Sequence, residues 1–468
     1  MTRRKILLVT IHAGSMPGSG GNVRSHFFIR TACALGDVTL VSLCSATGQT
    51  VDPQIRSLCT AVFGGVGNGE RTPPRQLSGR FAALWNLLIV LLMPWRRRWC
   101  DFVAYCVQHC GSSEHGGRKR LLSAILSREY GLLNRMGFLP PLLCAAYWNT
   151  FQQIKQQMLD LVRDHEHGAQ FDCLWVEDVY AYPFARHLER SLGVKIPLSI
   201  CNTYNMEWSV FQRLAESAAT PGLKSHLLSQ SRAMLRMEKV AYSQSDLTFV
   251  CSGEDAVVGK SIAADGEFRV VGNGVDLQYF AAAGQATDAE APLLLLTGTF
   301  GYGPNRQATE YFAKQVLPLI RRSMPGVRFL IAGGQARTAW EQLGLAACGV
   351  EFDSDPADIR PAFRKAMVFV VPLLSGGGTR LKILEAMAMG VPIVSTTIGA
   401  EGLGCRSDEQ LLLADGAEAF AAAVVRMLQQ PSLQKTLCQN AAEWIKTRYD
   451  WKLLCAQATG EVERLLER

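Results

Sequence analysis

Residues 367–395 constrain the chain more than any other stretch. Met367-Val368-Phe369-Val370-Val371-Pro372 is a continuous apolar run, the pattern of a parallel strand buried on both faces. Ser375-Gly376-Gly377-Gly378 follows, and successive glycines let a backbone turn sharply and approach a ligand closely. Thr379 is placed to cap a helix over Arg380–Met389 that ends at Gly390, where a left-handed cap is expected. Pro392-Ile393-Val394-Ser395 then reads as the next strand. Strand, glycine loop, helix and strand in that order make a parallel α/β unit, with free N–H groups and the cations Arg380 and Lys382 at a helix N-terminus. Such a terminus attracts anions, and an arginine can hold a phosphate through two hydrogen bonds. The plainer reading is a glycine turn with a solvated Arg380 and a Lys382–Glu385 pair at i, i+3.

The rest of the chain has the same rhythm. Lys5–Ile11 predicts a first strand, His12–Gly21 a loop, Asn22–Leu35 a helix and Asp37–Cys44 a second strand. The glycines of that loop do not fall as Gly-x-Gly-x-x-Gly and no acidic residue ends the second strand, so a dinucleotide site is not expected. Further strands are predicted at Asp172–Val176, just before Glu177-Asp178, and at Ile196–Cys201, Leu247–Cys251, Leu293–Thr297 and Val327–Ala332. Helices are predicted over Leu227–Ser243, which contains Glu238, and from Ala414 onward. Ala281–Pro292 has the composition of a linker. At 468 residues two or three domains are expected.

Net charge is mild, 48 − 41 = +7, which suits an anionic small molecule or an acidic membrane surface; no basic run resembles a nucleic-acid tract. None of the 14 cysteines forms Cys-x-x-Cys. Cys33, Cys44, Cys173, Cys201 and Cys251 sit in apolar runs, which predicts buried thiols and a cytoplasmic setting. The spacing of Cys106, His109, Cys110 and His115 matches no familiar zinc pattern, so no metal site is expected. No signal peptide is read at the N-terminus, and no apolar run reaches the ~20 residues that span a bilayer. Phe81–Met93, ending in Pro94-Trp95-Arg96-Arg97-Arg98-Trp99, is either an interfacial helix making peripheral membrane contact or a buried one with a solvated arginine cluster. Leu132–Tyr147 is a second apolar-aromatic stretch.

Gly-Gly-Gly-Thr-Arg-Leu-Lys followed by Glu385-Ala386-Met387-Ala388-Met389-Gly390 resembles the donor-binding signature of the family-4 (group 1) retaining glycosyltransferases. Arg269-Val270-Val271-Gly272-Asn273-Gly274-Val275-Asp276, upstream of it, resembles that family's interdomain signature. The resemblance implies the α/β GT-B fold, two Rossmann-like domains with parallel sheets facing across a cleft. It divides the chain into an acceptor-side domain over 1–275, a linker over 276–292, a nucleotide-sugar domain over 293–449 and a C-terminal helix over 450–468 that returns to the first domain.

By the same resemblance Arg380 and Lys382 hold the departing diphosphate, Glu385 binds the ribose, and the Gly376, Gly377 and Gly378 amides meet phosphate and sugar, with Thr379 and Leu381 beside them. Gly298 and Thr299 belong to a second donor loop, Phe352 to the base-binding segment, and Gly20 and Gly21 to a loop near the transferred sugar. His12, Arg24, Asn205 and Glu207 are acceptor-side candidates; His12, Arg24 and the nearby His26 each read as structural before catalytic. Four positions depart from the family. Gly377 stands where the first Glu of Glu-x7-Glu would fall, as in a branch with the same glycine run. Tyr204 stands where His is common, and Thr299 and Pro304 lie where many relatives carry Arg and Lys, with Arg306 close by.

The resemblance implies a metal-independent hexosyltransferase-like enzyme without a cofactor, its donor a nucleotide-diphosphate sugar and its acceptor a carbohydrate or lipid-linked hydroxyl. It further implies a same-face, internal-return mechanism in which the leaving phosphate takes the acceptor's proton, in keeping with the lack of a conspicuous general base. A nucleotide-sugar epimerase and a non-catalytic nucleotide-sugar-binding protein are the alternatives.

Overall fold

The computed structural model describes residues 3–14, 20–44, 49–64, 151, 154–160, 170–216, 218, 220–281, 291–375 and 379–467. The segments Phe81–Trp99, Leu132–Tyr147 and Cys106–His115, most of the linker, and Gly376–Gly378 lie outside the described residues. The chain divides into two compact units, one of residues 1–271 with 458–468 and one of residues 272–457.

In the first unit seven strands form one parallel sheet: β1 (Arg4–Thr10), β2 (Gly36–Ser42), β3 (Ala61–Phe63), β4 (Cys173–Glu177), β5 (Leu198–Asn202), β6 (Leu247–Val250) and β7 (Phe268–Val270). Their spatial order is β3-β2-β1-β4-β5-β6-β7. The central strands are buried over most of their length, as in parallel sheets covered on both faces: Leu7, Leu8, Leu174, Trp175 and Ile200 are all fully buried. Order reverses between β1 and β4, the point beyond whose carboxyl ends sheets of this topology place ligands.

The second unit repeats the plan with β8 (Leu293–Thr297), β9 (Arg328–Gly333), β10 (Val350–Ser354), β11 (Val368–Val371), β12 (Ile393–Ser395) and β13 (Leu412–Leu413), ordered β10-β9-β8-β11-β12-β13 and all parallel. Its switch point lies between β8 and β11. β11, which precedes the glycine run in the chain, ends on the edge where this topology places ligands.

Local signals set most element ends, with some differences. The helix after the glycine run is Leu381–Ala388, and its N-cap is Arg380 rather than Thr379. Thr379 instead receives the Leu381 N–H on its carbonyl, at 3.0 Å. The C-terminus follows the expected pattern, with Gly390 at φ 69°. The helix placed at Leu227–Ser243 starts earlier, at Pro221, where Thr220 caps it by accepting from the Leu223 N–H. Beyond Ala414 the chain breaks into three helices, Ala417–Gln429, Pro431–Arg448 and Trp451–Leu466. The last begins in the second unit, where Trp451 N–H donates to the Val275 carbonyl, and ends in the first, where Glu461 accepts from Arg269 Nε at 3.1 Å.

Cys44, Cys173 and Cys201 are buried, whereas Cys33 and Cys251 are half-buried. Cys33 Sγ lies 3.9 Å from Cys59 Sγ. Among the described residues no helix is long and apolar enough to cross a membrane.

Candidate functional site

In the second unit β8 ends at Thr297 and the backbone turns through Gly298 at φ 154°. A Cβ there would sit 2.8 Å from Asn305 Nδ2 and 3.0 Å from Lys382 Nζ, so glycine lets both side chains close on the turn. Asn305, in the helix Gly303–Tyr311, ties three parts together. Its Nδ2 donates to the Thr299 carbonyl at 2.9 Å, and its Oδ1 accepts from Lys382 Nζ at 2.8 Å. Lys382 is thereby held between the loop after β8 and the helix after β11, across the switch point. Burial pushes its amine down to about 8; Glu385 opposes this and the like charge of Arg380 adds to it. Burial pushes the Glu385 carboxyl up to about 7, against the attraction of Lys382. The Lys382–Glu385 ion pair of the plainer sequence reading is not formed; the amine goes to Asn305.

Arg380 is 7% exposed, and its Nη2 donates to the Ile398 carbonyl at 3.3 Å. Burial lowers its guanidinium below the usual value, against the pull of Glu401 and Tyr302. Two cations enclosed by protein at a helix N-terminus are what a diphosphate requires, since an anion there recovers the solvation they have lost.

The other residues that the resemblance assigned to the donor are placed less directly. Thr379 Oγ1 lies 3.5 Å from Asn273 Nδ2, and Leu381 packs on the core of the unit. Phe352 is on β10, two strands from β8, with its ring 5.1 Å from Trp340 and under the Arg337 guanidinium.

The first unit carries a polar network at the carboxyl ends of β1, β4 and β5. Glu177, the last residue of β4, is fully buried, and its carboxylate accepts from Trp175 Nε1 (2.7 Å), Asn202 Nδ2 (2.9 Å) and the Tyr204 hydroxyl (2.9 Å). Arg24 is equally buried: Nε and Nη2 donate to Asn202 Oδ1, Nη1 donates to the Val271 carbonyl, and its guanidinium lies over the Phe28 ring. It is a scaffold residue. So is His26, whose Nδ1 pairs with the Gly14 carbonyl.

His12, just past β1, has Nε2 at 3.0 Å from Asp178 Oδ2, just past β4, and its ring centroid is 4.9 Å from that of Tyr204. Glu207 accepts from the Tyr180 hydroxyl at 3.1 Å and from Asn205 Nδ2 at 3.3 Å. Glu238 accepts the Glu207 and Trp208 N–H groups and the Tyr242 hydroxyl, and so caps the helix Glu207–Glu216. Asp178, Asn202 and Asn305 were given no role in the sequence reading. Two carboxylates at the end of a buried strand, Glu177-Asp178, were the local signal for the first of them.

Gly20 and Gly21 open the helix Gly20–Leu35, and a Cβ on Gly21 would lie 2.7 Å from His12 Cε1. Gly21→Ala is therefore expected to displace the imidazole, while the gain of about 1 kcal/mol in helix propensity offsets part of the cost. The His12 imidazole resonances in an NMR spectrum should move with little change in melting temperature. Unchanged resonances would contradict this packing.

Burial raises Glu177 and Glu207 to about 7 and Glu238 to about 8. Between roughly pH 4.3, the unfolded value, and these values the folded unit keeps protons that the unfolded chain has released, so its stability falls as pH rises. Melting temperature should drop between about pH 5.5 and pH 8, and Glu238→Gln should flatten the drop. A flat wild-type profile would refute the assignment.

Residues 291–430 match the family model Glycosyl transferases group 1. The chain is 28% identical over 166 residues to an uncharacterized 44.6 kDa protein in the cps region of Klebsiella pneumoniae, covering 34% of this chain and 43% of that protein. It is 30% identical over 192 residues to phosphatidyl-myo-inositol mannosyltransferase of Mycolicibacterium smegmatis, covering 40% of this chain and 49% of that one. These matches span less than half the length of either relative.

Among solved structures, sucrose-phosphate synthase of Thermosynechococcus elongatus aligns with a TM-score of 0.60 at 16% identity, over 99% of both chains. Anabaena HepE in complex with UDP and glucose aligns with a TM-score of 0.57 at 12% identity, over 98% of this chain and 100% of that one. At such identities the likeness is one of fold. The chain has the GT-B fold, and residues 291–430 are similar to the group 1 glycosyltransferase family.

Proposed function

We propose that this chain is a retaining glycosyltransferase that moves a sugar from a nucleotide-diphosphate sugar to a hydroxyl acceptor. The observation that carries the reading is the placement of Arg380 and Lys382. Both are enclosed at the N-terminus of the helix Leu381–Ala388, with Lys382 fastened through Asn305 to the turn at Gly298. Glycosyl transfer builds negative charge on the leaving phosphate, and groups preorganised at that charge are the largest expected contribution to rate. Arg380 and Lys382 take the diphosphate without a metal, Glu385 takes the ribose hydroxyls, and the amides of Gly376–Gly378 meet phosphate and sugar. The Gly-Gly-Gly-Thr-Arg-Leu-Lys form of the signature then stands in for the family's missing first Glu.

Polysaccharide or glycolipid assembly is the setting we favour. It is supported by similarity to a protein of the cps region and to a phosphatidylinositol mannosyltransferase. Peripheral contact with the inner membrane face through Phe81–Trp99 belongs to the same proposal. The test is nucleotide release from UDP-, GDP-, ADP- and dTDP-linked sugars, with the anomeric configuration of the product read by NMR. Release with one donor and a retained anomer is expected. An inverted anomer overturns retention, and no release from any donor overturns the enzyme.

A further inference from the structure

Two thiols of the first unit meet outside the polar network described above. Cys33 lies near the end of the helix Gly20–Leu35, and Cys59 follows the short helix Pro53–Leu58 as its C-cap. Their Sγ atoms are 3.9 Å apart, and both residues are half-buried, within reach of small oxidants in solvent. An S–S bond is ~2 Å long, so closing it takes about 2 Å of sulfur travel, the scale of a side-chain rotation. The two thiols are not equivalent. The Cys33 thiol is held below its usual value, first by the hydrogen bond from Cys59 and then by Arg3 and Arg30, against the opposing effect of burial. Arg3 is fixed beside it: its Nη2 donates to the Cys33 carbonyl at 2.9 Å, and its Nη1 pairs with Asp37 at 3.2 Å. Cys59 is pushed up by the same thiol contact and by burial. Cys33 is therefore the attacking sulfur and Cys59 the one that follows. By contrast, Cys173 and Cys201 are buried in β4 and β5, where burial pushes thiols up and leaves them inert.

The contact also sits at a mechanical junction. The two helices grip the loop that follows β1. Asp52, which caps the second of them, donates its N–H to the Ala13 carbonyl at 3.0 Å. Gly14 adopts φ 65°, and the place of its missing Cβ is 3.3 Å from Ile29 Cδ1 on one helix and 3.4 Å from Ile55 Cγ1 on the other. In the reduced protein the covalent path between these helices runs only through β2 and the segments on either side of it.

We propose that Cys33 and Cys59 form a reversible disulfide that braces these two helices around the loop after β1, with peroxides and low-molecular-weight disulfides as the oxidants. The Cys33 thiolate breaks the peroxide O–O bond, giving a sulfenic acid and hydroxide. The Cys59 sulfur then bonds to the Cys33 sulfur, and the sulfenic oxygen leaves with the Cys59 proton as water. The two thiols lose two electrons and two protons, and the peroxide is reduced to two waters. A disulfide oxidant reaches the same product by exchange and leaves as two thiols; excess thiol returns the pair to its reduced form. The brace does not depend on glycosyl transfer.

The test treats the folded full chain with hydrogen peroxide, and separately with oxidised glutathione, blocks the remaining thiols with iodoacetamide and digests with trypsin without reductant. Cleavage at Arg30, Arg56 and Arg71 places Cys33 in peptide 31–56, together with Cys44, and Cys59 in peptide 57–71. In the wild type the two peptides are expected joined, with the mass of the pair less two hydrogens, and fragment ions should assign the bridge to Cys33 rather than Cys44. In Cys33→Ser they should be separate. The oxidised protein should melt about 5 °C or more above the reduced one, as a bridge closing a loop of this length confers. Excess dithiothreitol should reverse both changes. Peptides that stay separate in the wild type, that join only after denaturation, or that remain joined in Cys33→Ser would overturn the pair. A link formed with no rise in melting temperature would overturn the brace.

Discussion

Lys382→Met is expected to lower glycosyl transfer by about 10²–10³-fold, the usual cost of removing one donor from a developing anion. The apo protein should be at least as stable as the wild type. Both halves follow from one geometry. Among the described residues Lys382 Nζ has a single hydrogen-bonded partner, Asn305 Oδ1, and burial holds its amine down to about 8. A cation so placed is costly until an anion arrives, and a thioether of similar length removes that cost. Function and apo stability are thus traded against each other at this position. Differential scanning of the apo variant beside its turnover number checks the two halves separately. A large loss of apo stability would mean that Lys382 is a structural residue, and unchanged turnover would remove it from the diphosphate.

Gly333→Ala should be the most damaging single change among the glycines that shape this site. Gly333 ends β9 at φ 134°, a conformation that residues with a Cβ rarely adopt, and the added Cβ would lie 2.2 Å from the Gly298 carbonyl oxygen. That neighbour is backbone, not the end of a flexible side chain, so the turn after β8 must move. The Gly298 N–H bond to the Ala332 carbonyl and the Asp355 N–H bond to the Gly333 carbonyl are at risk with it. A cost of about 3 kcal/mol or more is expected, in the range of strain at a special backbone position. Melting of the second unit should fall by about 6–12 °C. Nucleotide-sugar affinity should fall with it, because the Gly298 turn packs against Asn305 and Lys382. A variant with wild-type melting would show that the turn adapts.

How much of this was legible in the sequence depended on whether the signal was local. Leu293–Thr297 is a strand with the same bounds in both readings because four buried leucines in succession have few alternatives. Gly390 was recognisable as a cap because its conformation is a property of one residue. The choice between Thr379 and Arg380 as N-cap was misjudged, since which of two adjacent residues turns into the helix depends on how the loop enters it. The contacts that make the site were not readable. His12 meets Asp178 across 166 residues and Lys382 meets Asn305 across 77, and no periodicity links positions so far apart. Buried partners such as Asn202 and Glu238 look, in sequence, like any polar residue in a strand end or a helix.

The most direct test of the central claim, that Arg380 and Lys382 form a diphosphate site, is a thermal-shift measurement with UDP-, GDP-, ADP- and dTDP-linked sugars on the wild type and on Arg380→Ala. A ligand at about 100 times its dissociation constant stabilises by about 2.7 kcal/mol, which such a measurement resolves. The account predicts a shift with one nucleotide in the wild type and its loss in Arg380→Ala. No shift with any of the four on folded protein, or a shift that survives in Arg380→Ala, would contradict it.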